Sequence, residues 1–154
     1  MEIEKRDLEL QQEFPKILKD LGGDPSKTCM SSAHGGIAIG DGWIPLIKQL
    51  MHFCQFHHDK NGYPQLVADQ IKEKFGTLRF YYHFEDCNSD TKEYGIRFNR
   101  IEDTLEGAIH FAESLSSTIC ESCGKPGTLR GQGWRYTSCD ECEKLKMDFT
   151  KEKN

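Results

Sequence analysis

The chain lacks any apolar run near the roughly 18 residues that a bilayer-spanning helix needs. Its opening, Met1-Glu2-Ile3-Glu4-Lys5-Arg6-Asp7, has no apolar stretch of the kind that makes a secretory leader. Basic charge is not in excess either: 20 Lys and Arg stand against 25 Asp and Glu, a formal charge of −5. Broad, nonspecific coating of nucleic acid requires a basic face, and this balance argues against it while leaving room for a local patch. Also missing are a glycine-rich phosphate cradle, a nucleotide-fold fingerprint, a Ser/His/Asp arrangement and any internal repeat. Those absences remove the commonest sequence signs of an enzyme.

What the chain does have is seven cysteines, four of them in two C-x-x-C pairs: Cys120 with Cys123, and Cys139 with Cys142. The spacer between the pairs fits a zinc ribbon, in which roughly 15–20 residues separate two knuckles. Tetrahedral Zn²⁺ takes four deprotonated soft ligands, and each knuckle offers two. One structural zinc is therefore expected on Cys120, Cys123, Cys139 and Cys142. A four-sulfur site has no open coordination position, so a catalytic zinc is not expected. Cysteines in such use, with Cys29, Cys54 and Cys87 left over, suit a reducing compartment, and the cytoplasm is the expected location.

At 154 residues the expectation is one body with a metal-held appendage. Leu8, Leu10, Phe14, Ile17, Leu18 and Leu21 predict a helix over 7–21, starting or kinking at Pro15. Gly22-Gly23-Asp24-Pro25 stops it. Asp41 is placed to cap a second helix, with Pro45 in its first turn and an apolar stripe of Ile44, Ile47, Leu50, Met51 and Cys54 to about residue 57. Residues 66–76 read either as a short helix closed by Gly76, from Val67, Ile71 and Phe75, or as the first arm of a hairpin with 77–84. Alternation sets Arg79, Tyr81 and His83 on one strand face and Leu78, Phe80, Tyr82 and Phe84 on the core face. Ile101, Leu105, Ala108, Ile109, Ala112 and Leu115 mark a helix over 98–116. The fold class is α+β: about three helices on a small antiparallel sheet, ending in a Cys₄ zinc ribbon. The expected divisions are a body over 1–117, the ribbon over 118–145 and a short helix or frayed tail thereafter, with 146–154 taken as tail.

Gly40-Asp41-Gly42-Trp43 with Leu46-Ile47, the run Gln70 to Tyr81 (QIKEKFGTLRFY), and Cys120-Glu121-x-Cys123-Gly124-x-Pro126-Gly127 together resemble a family of small phage and bacterial proteins. These have an N-terminal α/β part and a terminal zinc ribbon, and the likeness runs over most of 12–142. It implies a phage, prophage or bacterial setting, one compact unit and, for 66–76, the hairpin. It carries no activity or catalytic residues to transfer.

Two groups of residues are candidates for recognition. Lys72, Lys74, Arg79 and Tyr81 flank or occupy the aromatic strand; Arg130, Trp134 and Arg135 lie in the ribbon, where guanidinium and aromatic groups can contact phosphate or stack on bases. The bland alternatives are a solvated sheet face and a purely structural clasp with Trp134 packed inward. Asp41 as a catalytic carboxylate, a second metal site at Cys54, His57, His58 and Asp59, and a Cys29–His34 nucleophile pair are weaker ideas. The expected function is a non-enzymatic, zinc-stabilised protein that binds a macromolecular partner, with a protein partner preferred. The setting implied by the resemblance suggests a phage regulator or inhibitor of host or defence machinery. Nucleic-acid binding is the rival reading, and a nucleotide or small-anion site on the Arg79/Tyr81 face is the third.

Overall fold

A computed structural model describes residues 3–31, 36–85 and 92–151, with side chains throughout except over 92–99 and 149–151. In chain order the elements are α1 (Lys5–Glu13), β1 (Ile37–Ala38), a 3₁₀ turn (Asp41–Trp43), α2 (Ile44–Asn61), β2 (Gln65–Lys74), β3 (Thr77–Glu85), α3 (Lys92–Ser116), β4 (Thr128–Arg130), β5 (Tyr136–Ser138) and α4 (Asp140–Lys151). The architecture is α+β, and no helix among the described residues is long and apolar enough to cross a membrane.

The first helix is shorter than its apolar spacing predicts. Pro15 has no N–H and pushes the residue before it out of the helical region. Phe14 accordingly sits at φ −124°, ψ 58° and closes α1, while 14–22 continue as turns. Ile17, Leu18 and Leu21 are buried all the same. The turn segment also supplies the Ile17 carbonyl, which accepts a hydrogen bond from Ala68 N at 2.8 Å.

That bond marks a bulge in β2, where the pairing with β3 shifts between Ala68 and Gln70. Leu66 and Ala68 join the core before it and Ile71 after it, because one inserted residue exchanges the two faces of a strand. The apolar step of four from Val67 to Ile71 to Phe75 imitates a helix, but Val67 lies before the bulge, Ile71 after it and Phe75 in the turn beyond β2. The segment is a strand. It pairs antiparallel with β3 from Gln65↔Glu85 to Lys74↔Thr77. The sheet is not purely antiparallel, however, since β1 joins β2 in parallel through Ile37↔Ile71. The order β1-β2-β3 leaves β3 at the edge. There α3 covers it: Leu78 N donates to Ser116 Oγ at 2.9 Å and Phe80 N to Glu113 Oε1 at 3.0 Å. Side chains thus satisfy backbone donors that would otherwise invite another strand.

α2 keeps its predicted course and ends on Gly62, which takes the left-handed conformation (φ 67°) suited to a helix terminus. Asp41 does not cap it. No side-chain capping bond is made at the start of either the 3₁₀ turn or α2, and Asp41 Oδ1 instead accepts from Arg6 Nη1 at 2.8 Å. α3 begins at Lys92, earlier than expected, and the chain beyond Cys139 is helical to Lys151, so the described residues hold four helices, the last where a short helix or frayed tail was expected. The core gathers α1, the 14–21 turns, α2, the inner sheet face and α3 around Trp43, Ile47, Met51, Ile71, Leu78 and Leu105.

Cys54 lies in that core, and burial pushes its thiol from 9.0 up to about 12. A thiol that stays neutral when folded but ionises when unfolded stabilises the fold below its unfolded pKa. That contribution is lost as pH rises through the window from about 9 to about 12. Denaturant midpoints of the wild type should fall more steeply than those of Cys54→Val across that window; parallel curves would contradict the assignment.

Candidate metal centre

The sulfurs of Cys120, Cys123, Cys139 and Cys142 all lie within 4.8 Å of one another. Cys123 and Cys139 are 3.6 Å apart, too far for a disulfide of about 2.05 Å. A tetrahedron of sulfurs about 2.3 Å from a metal has edges of about 3.8 Å. The four cysteines form a group that can hold a metal ion, and the donor set and separations fit one.

Local structure builds each half. The first knuckle closes with Cys120 N donating to Lys125 O at 2.8 Å and Gly124 N to Cys120 O at 2.9 Å. Gly124 sits at φ 77°, which an L side chain rarely adopts. The second pair straddles the step from β5 into α4, where Cys142 N donates to Cys139 Sγ at 3.4 Å. Burial opposes ionisation of Cys120, but N–H groups of Cys139, Cys123 and Ser122 outweigh it and bring the thiol down to about 6. The sulfurs of Cys123 and Cys139, and then burial, push Cys142 up to about 12. One ligand therefore gives up its proton readily, and the last does so only when a cation offsets the accumulated charge.

The knuckle is seated on the body. Gly42 N donates to Glu121 O at 2.7 Å, Gly40 N to Glu121 Oε1 at 3.0 Å and Trp43 Nε1 to Ile119 O at 2.8 Å. A Cβ on Gly42 would collide with the Cys120 carbonyl oxygen and Gly124 N, and one on Gly40 with the Glu121 backbone. The Gly-Asp-Gly-Trp motif is thus the notch into which the metal-binding turn fits. On its other side the ribbon holds the β2–β3 hairpin, where Thr137 Oγ1 donates to Gly76 O at 2.6 Å. A Cβ on Gly76 would run into Leu129.

The recognition candidates fall as follows. Past the bulge, Lys72↔Arg79 and Lys74↔Thr77 are cross-strand pairs on the outer face of the sheet, with Tyr81 opposite Gln70. Among the described residues, Lys72, Lys74, Arg79 and Arg135 form no ion pair. Lys72 lies over the Tyr81 ring at 5.5 Å and Lys74 over Phe75 at 5.4 Å. Arg79 Nη1 donates to Thr77 Oγ1 and Leu78 O. Arg130 is instead tied down within the ribbon, to Ser138 O and Asp140.

Trp134 is not packed inward. It is 81% exposed, and with Phe75, Glu73, Lys74, Gly133 and Arg135 it lines a cleft of about 260 Å³. Phe75 escaped the sequence reading, although Lys74-Phe75-Gly76-Thr77 between two alternating runs was the available signal. It is 65% exposed and sits at φ 55°, next to Gly76 at φ 80°. Both central residues of this two-residue hairpin need positive φ, a demand that Asn-Gly meets more readily than Phe-Gly.

The weaker ideas find little here. His52 contacts Glu13, His57 accepts from Asn61 and His58 Nδ1 meets Tyr63 O, so these rings and buried Cys54 converge on no common point. Arg79 and His83 share a groove of about 740 Å³ between β3 and α3, where His83 Nδ1 meets Asp69 Oδ1 at 2.7 Å; Asp41 is not in it. His34 and Cys87 lie outside the described residues. Comparison with family models, curated proteins and solved structures found no match.

Gly42→Ala should cost about 1–3 kcal/mol by overpacking against backbone that cannot give way. Gly107→Ala, in α3 where an added Cβ meets nothing, should stabilise by about 0.5–1 kcal/mol. Urea midpoints of the metal-loaded variants decide this, and equal effects would refute the notch.

Proposed function

We propose that this chain is a non-enzymatic zinc protein that binds a macromolecular partner through the surface formed where hairpin and ribbon meet. The observation that carries the reading is the gathering of four cations without carboxylate partners beside two exposed aromatic rings. Placing Lys72 directly opposite Arg79 is unfavourable in isolation, since like charges across a strand pair repel. An anionic partner offsets that cost. Exposed Trp and Arg are also the residue types that carry the most energy at recognition surfaces.

In this reading zinc is structural. Four sulfurs leave no position for substrate, and the metal orders the ribbon that carries Trp134 and Arg135. The resemblance to small phage and bacterial proteins suggests that this binding serves to regulate or inhibit host or defence machinery.

Elemental analysis should find one zinc per chain, and a chelator should unfold the ribbon while lowering the melting temperature of the whole. Capture from a bacterial lysate should recover a partner with the wild type but not with Lys72→Gln/Lys74→Gln/Arg79→Gln at matched zinc content. Capture that ignores the triple substitution would move the binding site elsewhere.

A further inference from the structure

We propose that the partner of this surface is single-stranded nucleic acid, with bases stacked on Trp134 and Phe75 and phosphates laid along Lys74, Lys72 and Arg79. This rests on the binding-surface reading above and names the class of its ligand.

The first argument is charge. The chain carries −5 overall, yet the outer face of the hairpin end presents Lys72, Lys74 and Arg79 with Gln70, Thr77 and Tyr81, and no carboxylate. Of the acidic groups nearby, Glu73 Oε1 accepts from Gly76 N at 2.5 Å, Asp69 meets His83 and Glu113 holds Phe80 N, while Glu102 and Glu106 of α3 lie along the groove that Arg79 and Tyr81 border, so the row is most open at Lys72 and Lys74. Lys72 and Lys74 are two residues apart on one strand, about 6–7 Å, so the cations form a row rather than a point. A row suits a polyanion better than a lone phosphate or carboxylate.

The second argument is the aromatic geometry. Trp134 and Phe75 border one cleft, come from separate elements and are both largely exposed, beside Lys74 and Arg135. Holding Phe75 at positive φ keeps its ring at the hairpin tip instead of under the sheet. Stacking on exposed rings flanked by cations is how proteins bind single strands without reading sequence. A duplex offers its phosphates but not the faces of its bases, so single strands are selected.

The test uses the full zinc-loaded chain and 12-nucleotide single strands, oligo(dT) and a mixed RNA, against a duplex of equal length. Trp43 is fully buried with its N–H bonded to Ile119 O, so ligand-dependent quenching of tryptophan fluorescence reports on Trp134. Single strands should quench it and bind more tightly than the duplex. The slope of log affinity against log salt should be about −2 to −3, as for three or four phosphates. Trp134→Ala and Phe75→Ala should each weaken binding by about tenfold, followed through a dye on the strand. Arg135→Gln, an exposed change that spares the hairpin, should flatten the slope.

No binding at low salt, a flat slope or a preference for duplex would overturn the assignment. Should a captured protein depend on Lys72, Lys74 and Arg79 while no oligonucleotide binds, the surface reading stands and the nucleic-acid assignment falls. Should neither depend on those residues, both fall.

Discussion

Everything distinctive in this molecule depends on the seating of one metal-binding turn in a notch from which side chains are missing. Gly40 and Gly42 let the Cys120–Gly124 backbone come so close that any Cβ would collide with it, and Trp43 anchors the approach through Ile119 O. Because the first knuckle is fixed to the start of α2, a metal held by the four cysteines would do more than close a C-terminal appendage. Metal binding to small ribbons supplies on the order of 10 kcal/mol of folding free energy, and here the ordered ribbon is coupled directly to the core. On its far side the same ribbon grips Gly76 through Thr137 and Leu129. Core, metal and hairpin tip form one mechanical chain.

That coupling gives the strained turn a physical basis. A non-glycine residue in the left-handed region costs about 1–2 kcal/mol, and an isolated hairpin would relieve this by shifting register or fraying. Here Lys74↔Thr77 closes the ladder, Glu73 holds Gly76 N and Thr137 holds Gly76 O, so Phe75 has nowhere to relax. Strain of this kind survives only where its surroundings over-determine it, and such places cluster at sites of recognition. The exposed ring at the tip is thus a product of the metal site several residues away in space and more than forty away in sequence.

How much of this could be read from sequence follows from how local each signal is. The four cysteines declared themselves because ligand spacing is a chemical constraint with few competing causes. The stripes of α2 and α3 and the alternation of β3 were readable because each element buries one continuous face. Reading failed where a distant contact decides. The bulge at Ala68–Gln70 exchanges the faces of β2 and so breaks the alternation that marks a strand, and its partner is Ile17, some fifty residues away. Asp41 looked like a cap because caps are local, whereas its partner Arg6 lies on α1. The glycines of Gly-Asp-Gly-Trp likewise serve a distant contact, the close approach of the Cys120–Gly124 backbone.

Net charge speaks only to broad coating. A sum over the chain assigns −5 and still leaves room for a local patch, because a charge acts on its ligand only within about a Debye length, ~8 Å at physiological salt. Several basic groups outside the hairpin face are paired with carboxylates: Lys48 with Glu13, Lys16 with Asp59, Lys125 with Glu141, Arg130 with Asp140. Among the described residues, Lys72, Lys74 and Arg79 on the hairpin face and Arg135 in the ribbon loop form no ion pair, and neither do Lys27, Lys60, Arg100 and Lys144 elsewhere. The group at the hairpin tip differs in standing beside the exposed rings of Phe75 and Trp134, and a local cluster can set a potential opposite in sign to the net charge. In the proposed reading, that cluster at an aromatic edge is where an otherwise acidic protein admits a polyanion.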